Sequence, residues 1–195
     1  MARVLRSRHG GFTLVELLVT LLLGGLVSAA VLQLLLGDLR QVGRLGRWLR
    51  ERQAGERALE LLREELQRAE WVSLGAGDAP LPPYCSLAGR TVVLQLQGRT
   101  LAGAPAGVLY TVGAAPSSIW RGAVLMRCGP AYGLDGAWSE GAAVPRVLVD
   151  ALPAGRGFTV TGSAPGVLQL ELTRQLADGQ TIRQKQVALA APPPP

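Results

Sequence analysis

The chain has 195 residues, which is enough for one globular domain with a proper core and too few for two ordinary domains. Twenty basic and fourteen acidic side chains give it a formal net charge of +6. Three of the basic residues, Arg3, Arg6 and Arg8, lie among the first nine positions, and without them the charge falls to +3. A small surplus spread along a chain is usual for a solvated surface, so the charge does not indicate nucleic-acid binding.

The sequence contains one histidine, His9, beside the basic residues at its start. The rest of the sequence therefore offers no His-based triad, no histidine metal ligand and no imidazole general base. Ser117 and Ser118 have no histidine to activate them, and the only lysine, Lys185, falls in a predicted strand. We therefore expect a protein that is not an enzyme and that needs neither a cofactor nor a metal ion.

The first predicted element is a membrane-spanning helix over residues 12–37, preceded by a short basic leader, residues 1–11, that ends in two glycines. Glu16 is the only charged residue of this apolar segment. Its uncharged run from Leu17 to Gly37 has 21 residues, and at about 1.5 Å per residue this length matches the core of a bilayer. The segment is therefore long enough to span a membrane.

The order of the leader and the apolar segment differs from that of a secretory signal peptide. A signal peptide carries its small-residue cleavage site after the apolar run, whereas here the glycines precede it. A cut after the glycines would leave the membrane segment attached. Since basic residues next to a membrane segment stay cytoplasmic, everything after Gly37 is expected on the periplasmic side.

Residues 38–71 are polar but still helical in pattern, so we predict one long helix from about Phe12 to Trp71. Apolar residues recur at spacings of three and four, which makes one stripe: Leu59, Leu62, Leu66 and Ala69. Two charge pairs at i,i+4 are expected on the other faces: Arg52/Glu56 and Glu64/Arg68. This part of the helix is predicted to pack on a globular domain.

Residues 72–190 are predicted to form a globular β-rich periplasmic domain, because short alternating runs replace the helix formers. The predicted strands are Thr91–Gln97, Val108–Val112, Ala123–Cys128, Val144–Val149, Phe158–Thr161, Leu168–Thr173 and Gln180–Leu189. Asp178-Gly179 between the last two strands is a hairpin turn signal. The fold class is therefore α+β, a long N-terminal helix packed on an antiparallel sheet of four to seven strands, followed by a Pro-rich tail, residues 191–195.

The sequence RHGGFTLVELLVTLLL resembles the N-terminal signature of type IV prepilins and of the related pseudopilins of type II secretion. The shared features are a basic leader, a glycine before the cut, Phe12 as the new first residue and Glu16 within an apolar helix. The resemblance implies that a membrane-embedded peptidase cuts after Gly11 and methylates the amino group of Phe12. It also implies an inner-membrane protein whose other partners are pilin or pseudopilin subunits.

Glu16 is predicted to act in filament assembly. A carboxylate inside a membrane segment costs about 2.5–3.5 kcal/mol on insertion scales, so it is normally kept for a partner. The resemblance implies that this partner is the amino terminus of Phe12 in a neighbouring subunit. The alternative is that Glu16 sits at the level of the headgroups. One departure is that Gln33 stands near the place where major pilins often carry a proline, which leaves a minor pilin open.

The two cysteines, Cys85 and Cys128, are expected to form a disulfide if the domain is exported. The alternative is two buried free thiols. The loop 134–140 supplies two carboxylates, but it lacks the spacing of an EF-hand, so a solvated turn is favoured over a Ca²⁺ site. Trp120 and Trp138 are predicted to be core aromatics in preference to binding residues.

The predicted function is that of a minor pilin or pseudopilin, processed after Gly11 and N-methylated at Phe12, that helps to initiate or cap a type IV pilus-like or type II secretion filament. One alternative is a binding module at the filament tip, for DNA, a surface or an exported substrate, with Arg121 and Trp138 as exposed candidates. The other is an enzyme tethered by the same anchor, against which the missing histidine argues.

Overall fold

The structure is a computed structural model, and it describes residues 13–76, 82, 84–133, 136–155, 157–177 and 179–190. The predicted leader, Phe12 and the Pro-rich tail lie outside the described residues. The chain divides into two compact units, which we call the anchor unit, Met1–Arg47, and the globular unit, Trp48–Pro195.

A single helix, α1, runs over Leu14–Arg68. Its first 24 residues, Leu14–Gly37, are long and apolar enough to cross a membrane, and none of this stretch is buried within the chain. The prediction that the helix continues to Trp71 is wrong by three residues. After Arg68 the chain joins a sheet, because the N–H of Glu70 donates to the carbonyl of Gln97 at 2.8 Å and Trp71 opens a strand.

The described residues of the globular unit form eight strands, all paired antiparallel. Their bounds are β1 Trp71–Leu74, β2 Arg90–Arg99, β3 Pro105–Gly113, β4 Ala123–Gly129, β5 Val144–Leu152, β6 Phe158–Ala164, β7 Val167–Gln175 and β8 Thr181–Leu189. They make a five-stranded sheet in the order β1-β2-β3-β4-β5 and a three-stranded sheet in the order β6-β7-β8. The predicted α+β class is confirmed, while the prediction of one sheet with at most seven strands is wrong.

The core lies between the end of α1 and both sheets. The predicted helix stripe is confirmed, since Leu62 and Leu66 are completely buried and pack in one cluster with apolar residues of both sheets. The sheet residues of that cluster include Leu94, Leu96, Val108, Leu125, Leu170 and Leu172. The alternation of leucines along β7 directs one face of the smaller sheet at the helix, as its burial pattern shows.

A glycine of α1 permits a close approach between the helix and strand β8. A Cβ atom added to Gly55 would lie 2.0 Å from Oε1 of Gln184 and 3.1 Å from Cδ2 of Leu172. Because Gly55 has no side chain, the amide of Gln184 reaches past it and its Nε2 donates to the carbonyl of Arg52 at 3.0 Å. The glycine therefore brings β8 against the helix backbone.

The hairpin β7–β8 has the most regular pairing in the smaller sheet. Its nine residue pairs run from Val167↔Leu189 to Gln175↔Thr181 without a register shift. Gly179 adopts a φ of 83°, a conformation that favours glycine, in the turn that the sequence predicts. Asp178, the other residue of that signal, lies outside the described residues.

Cys85, in the segment before β2, and Cys128, in β4, form a disulfide in the structure, with their Cα atoms 5.8 Å apart. The bridge is buried and packs with Leu109 of β3 in a small apolar cluster of its own. It closes a loop that contains β2, β3 and most of β4.

Candidate assembly site

The beginning of α1 is closed by a capping box, a reciprocal pair of contacts between Thr13 and Glu16. The N–H of Glu16 donates to Oγ1 of Thr13 at 3.3 Å. In return, Oε2 of Glu16 accepts from the N–H of Thr13 at 3.4 Å and from its hydroxyl at 3.3 Å. The first N–H groups of a helix have no partner within the helix, so this arrangement satisfies two of them.

These contacts involve only one of the two carboxylate oxygens of Glu16. Among the described residues, all its hydrogen bonds go to Oε2, and Oε1 accepts none. Its neighbours on the helix are apolar and exposed, with Leu14, Val15 and Leu17 showing 75%, 67% and 55% of their surface. A charged group with a free oxygen in such a segment requires a donor or a cation from elsewhere.

The predicted cleavage and methylation residues, Gly11 and Phe12, lie outside the described residues. The structure therefore places Glu16 next to the start of the helix without describing its predicted partner. The rest of Leu14–Gly37 offers mainly apolar surface, and the hydroxyl of Thr20 is satisfied locally by the carbonyl of Leu17 at 2.9 Å. A face of this kind suits hydrocarbon or other apolar helices.

The globular unit contains a second glutamate of α1, Glu65, which is completely buried and which the sequence analysis missed. Its Oε1 accepts from Nε of Arg127 at 2.9 Å and from the hydroxyl of Tyr132 at 2.6 Å. Its Oε2 accepts from the hydroxyl of Tyr110. We call these four residues the Glu65 cluster. The cluster ties α1 to β3, to β4 and to the segment after β4.

The protonation states in the Glu65 cluster follow from burial and from the carboxylate. Burial, followed by the negative charge of Glu65, raises the pKa of Tyr110 well above its ordinary value, and the same causes raise the pKa of Tyr132. Burial would lower the pKa of Arg127, but the hydrogen bond and the charge of Glu65 outweigh it and raise that pKa. Two neutral phenols and one guanidinium therefore hold one carboxylate.

A sequence signal for Glu65 existed. Position 65 lies three residues after Leu62 and one before Leu66, on the apolar stripe of the helix, where a charged residue is out of place. Arg127 likewise interrupts the buried strand β4, all of whose residues from Val124 onwards are buried. Two opposite charges at core positions predict a buried pair, because an unpaired one is too costly.

A second ion-pair cluster joins α1 to strands of both sheets. Arg174 of β7 is 2% exposed, and its Nη2 contacts Oε2 of Glu51 at 2.5 Å and Oδ1 of Asp150 at 3.0 Å. Arg121 contacts Oε1 of Glu51 at 2.5 Å and Oδ2 of Asp150 at 3.6 Å. The hydrogen bond to Glu51 is the main cause that raises the pKa of Arg121. Arg121 therefore has internal partners.

Some of the predicted surface residues have other roles. Trp138 is 5% exposed and belongs to the core, so its use as an exposed binding candidate was wrong, whereas the core interpretation is confirmed for this residue. Trp120 is half-buried and is not a member of the core cluster of the described residues, so the core interpretation was wrong for Trp120. The charge pair Arg52/Glu56 is confirmed at 2.8 Å. The pair Glu64/Arg68 is not among the ion pairs of the described residues, because Arg68 donates to the carbonyl of Gly136.

The loop predicted as a turn or a Ca²⁺ site is described in part, since Leu134 and Asp135 lie outside the described residues. Within the described ranges there is no group of three or more His, Cys, Asp or Glu residues that could hold a metal ion. Glu140 of this loop accepts from the hydroxyl of Thr100 at 2.8 Å.

Residues 6–32 match the family described as the prokaryotic N-terminal methylation motif, which is the type IV prepilin signature. No curated protein and no solved structure matches the chain. The motif supports a protein of the type IV pilin or pseudopilin type, and it points to a structural subunit. It implies processing by a prepilin peptidase and assembly with other pilin subunits, and the apolar helix fits a membrane-anchored pilin.

Proposed function

We propose that the chain is a minor pilin or pseudopilin subunit that is cut after Gly11, N-methylated at Phe12 and used to initiate or cap a type IV pilus-like or type II secretion filament. The observation that carries the proposal is the half-satisfied carboxylate of Glu16, which lies within the methylation motif at the start of an unburied apolar helix. In this role the subunit is not an enzyme and needs no cofactor.

The assembly step follows from the cost of an incompletely paired carboxylate in an apolar medium. A charged amino terminus from a neighbouring subunit would supply the donor and the positive charge that Oε1 of Glu16 lacks. Packing of the apolar helix among similar helices would keep this ion pair away from water, where it is stronger. The pair thus sets the axial position of one subunit relative to the next.

The location proposed for the subunit is the inner membrane, with a cytoplasmic leader, a membrane or filament-core helix over residues 12–37 and the globular domain in the periplasm. The disulfide between Cys85 and Cys128 supports this placement, since disulfides persist in oxidising compartments such as the periplasm. The minor role is supported by Gln33 in place of a proline and by the size of the globular unit.

The processing step is tested by the intact mass of the protein purified from its native membrane, with fragmentation to identify the N-terminus. We expect a chain that starts at Phe12, carries one added methyl group and lacks the two hydrogens that a disulfide removes. A chain that starts at Met1 without a methyl group would contradict the proposal and leave a membrane-anchored domain with no role in a filament.

The assembly step is tested by Glu16→Ala, examined in the native host by cell fractionation. We expect a processed, stable protein that remains in the membrane fraction and is lost from the sheared filament fraction, because the neighbouring amino terminus has no counter-ion. Glu64→Ala, at an exposed glutamate on the same helix, is the matched control and should leave the distribution unchanged. Normal incorporation of Glu16→Ala would exclude Glu16 as the assembly residue.

A further inference from the structure

The four outer strands of the two sheets differ in how far their free edges are blocked. In the five-stranded sheet, β1 has only four residues, and β5 carries Pro145 and pairs with β4 through two register shifts. In the smaller sheet, β6 has a register shift at Gly162/Ala164. Shortness, proline and bulges are the devices by which proteins prevent a further strand from pairing at an edge.

Strand β8 has none of these devices. It is nine residues long, contains no proline and pairs with β7 without a register shift. Among the described strands, β7 is its only hydrogen-bonded neighbour. Its other edge therefore presents a regular row of backbone N–H and C=O groups, which is a template for an added strand.

The open edge of β8 borders a groove whose other wall is α1. The groove has a volume of about 930 Å³, and it is lined on the helix side mainly by Trp48, Arg52, Glu56, Arg57 and Glu60. A strand added to β8 would lie about 4.8 Å from it and would use this helix wall as its floor. The groove therefore runs beside six consecutive residues of β8, Thr181 to Gln186, where an extended segment would lie.

Two glutamines of β8 keep this groove in place. Nε2 of Gln184 donates to the carbonyl of Arg52 at 3.0 Å, and Nε2 of Gln186 donates to Oε2 of Glu60 at 2.8 Å. Both side chains are on the face of β8 that turns towards the helix, so they do not occupy the free edge. The strand is thus held against α1 before any partner arrives, which lowers the entropic cost of binding.

The charges around the groove favour an acidic partner. Arg183 and Lys185 project from the exposed face of β8 and share one carboxylate, that of Glu171, at 3.1 Å and 3.2 Å. On the helix wall, Arg57 makes no ion pair among the described residues, while Glu56 and Glu60 are engaged by arginines of the helix itself. The charge left without a partner is therefore positive.

The same charges argue against a second copy of this chain as the occupant. If two β8 strands paired antiparallel about a two-fold axis at the middle of the strand, Lys185 of one copy would face Lys185 of the other, with Arg183 two residues away. Like charges directly opposite each other destabilise a strand pair. A partner with carboxylates at these positions would instead repeat the contact that Glu171 already makes within the sheet.

We propose that the free edge of β8 and its groove bind an extended acidic segment of another protein, which adds a fourth strand to the sheet β6-β7-β8. Backbone hydrogen bonds would supply most of the affinity, and carboxylates on alternate residues would pair with Arg183 and Lys185 on the exposed face. The residues between them would turn towards Arg57 and the helix wall. This surface does not include Glu16 or the amino terminus, so an experiment can refute this proposal without affecting the assembly role proposed above.

The test uses the full chain in detergent micelles and two labelled synthetic peptides, matched in length to β8, in which threonine alternates with glutamate or with lysine. Fluorescence anisotropy of the label measures binding. We expect the glutamate peptide to bind at least about tenfold more tightly, because its charges complement the groove. Equal binding of the two peptides would overturn the proposal.

A copy of the glutamate peptide with N-methylated amides separates strand addition from simple charge attraction. It keeps every carboxylate but has no N–H group to donate, so we expect no binding. Slower hydrogen exchange of β8 amides with the unmethylated peptide gives a second measurement on the unmodified chain. Full binding of the methylated peptide would show that no strand is added and would refute the proposal.

The residues are tested by the double variant Arg183→Gln/Lys185→Gln, with Arg146→Gln as the matched control. Arg146 is an exposed arginine on β5, the edge strand that contains Pro145. We expect the double variant to lose about tenfold in affinity for the glutamate peptide at an unchanged melting temperature, and the control to lose none. Unaltered affinity in the double variant would overturn the assignment of Arg183 and Lys185. A dimer in solution that the peptide disrupts would also overturn the proposal, because the occupant of the edge would then be a second copy of the chain.

Discussion

The two units of the chain each contain a glutamate of the same helix, and the two carboxylates are in opposite states. Glu65, in the globular unit, accepts hydrogen bonds from Arg127, Tyr110 and Tyr132 and is completely buried. Among the described residues, Glu16 of the anchor unit has only the capping contacts with Thr13, and it lies among exposed apolar side chains. Both oxygens of Glu65 accept hydrogen bonds, whereas Oε1 of Glu16 accepts none from the part of the chain that the structure describes.

The contrast separates a charge that serves the fold from one that, by our proposal, serves assembly. A charge that serves the fold is surrounded by donors from the same chain, because leaving it unpaired in the core costs several kcal/mol. A charge that serves assembly lies on an otherwise apolar surface and lacks part of its donors. Substitutions at each site, and a change of pH, test this contrast.

Glu65→Gln should have the largest effect on stability. It leaves the guanidinium of Arg127, which is 4% exposed, without a counter-ion, and breaking a buried pair in this way costs about 3–5 kcal/mol. Urea unfolding in detergent, followed by tryptophan fluorescence, measures the loss. The adjacent Glu64→Gln, at an exposed position, is the control and should stay within about 0.5 kcal/mol. A loss below that of the control would show that the cluster does not stabilise the fold.

Removal of the disulfide by Cys85→Ser/Cys128→Ser should have the next largest effect. The bridge joins residues 43 positions apart, and loss of a loop closure of this kind typically costs about 2–4 kcal/mol. The same unfolding experiment measures it, with the oxidised and the chemically reduced wild-type chain as a matched pair. If chemical reduction leaves the urea midpoint of unfolding unchanged, the disulfide does not contribute to stability, and the reduced chain is as stable as the oxidised one.

Alkaline pH should weaken the Glu65 cluster. Because burial and the charge of Glu65 raise the pKa of Tyr110, the unfolded chain releases this proton near pH 10 while the folded chain keeps it. The contribution of Tyr110 to the free energy of unfolding should therefore be constant below about pH 10 and fall above it, by about 1.4 kcal/mol per pH unit. The half-buried Tyr132 adds a smaller, solvent-screened contribution in the same direction.

The pH prediction is checked by urea unfolding as a function of pH. Tyr132→Phe should reduce the slope above pH 10 while keeping its sign, because Tyr110 remains. A free energy of unfolding that rises with pH in this range would mean that the folded chain releases these protons first, against the arrangement around Glu65.

Thr13→Ala should have the smallest and most local effect. It removes the side chain that exchanges hydrogen bonds with Glu16, and loss of an N-cap typically costs about 1 kcal/mol. Hydrogen exchange in lipid bicelles should show faster exchange of the first turn of α1 only. The control is Thr20→Ala, at a hydroxyl bonded one turn further along. Equal effects of the two variants would exclude a special role for the capping box.

The sequence predicted the elements that depend on local pattern. The apolar run of Leu14–Gly37 and the stripe of Leu62 and Leu66 are visible in spacing alone, and so are the strands with alternating leucines. Strand β1 was missed because four residues are too few to show an alternation. The division into two sheets was missed because alternation says which face a residue takes and does not say which strands pair.

The partners of charged residues were the other part that sequence could not supply. Glu65 and Arg127 are 62 positions apart, and only the packing of α1 on β4 brings them together. Arg121 and Trp138 were the exposed candidates of the binding alternative, whereas the fold pairs the first with Glu51 and buries the second. Local pattern can mark Glu65 and Arg127 as charges at core positions, but only the tertiary structure identifies the partner of each residue.

The disulfide also determines how the globular unit would respond to mechanical tension. If a filament were pulled along its axis and a subunit lost its tertiary contacts, only the residues outside the loop closed by the disulfide could extend. The 43-residue loop between Cys85 and Cys128 would stay closed and would withhold on the order of 150 Å of contour length, at about 3.3–3.6 Å per residue. Because β2 and β3 lie within that loop, most of the larger sheet would be shielded from the force.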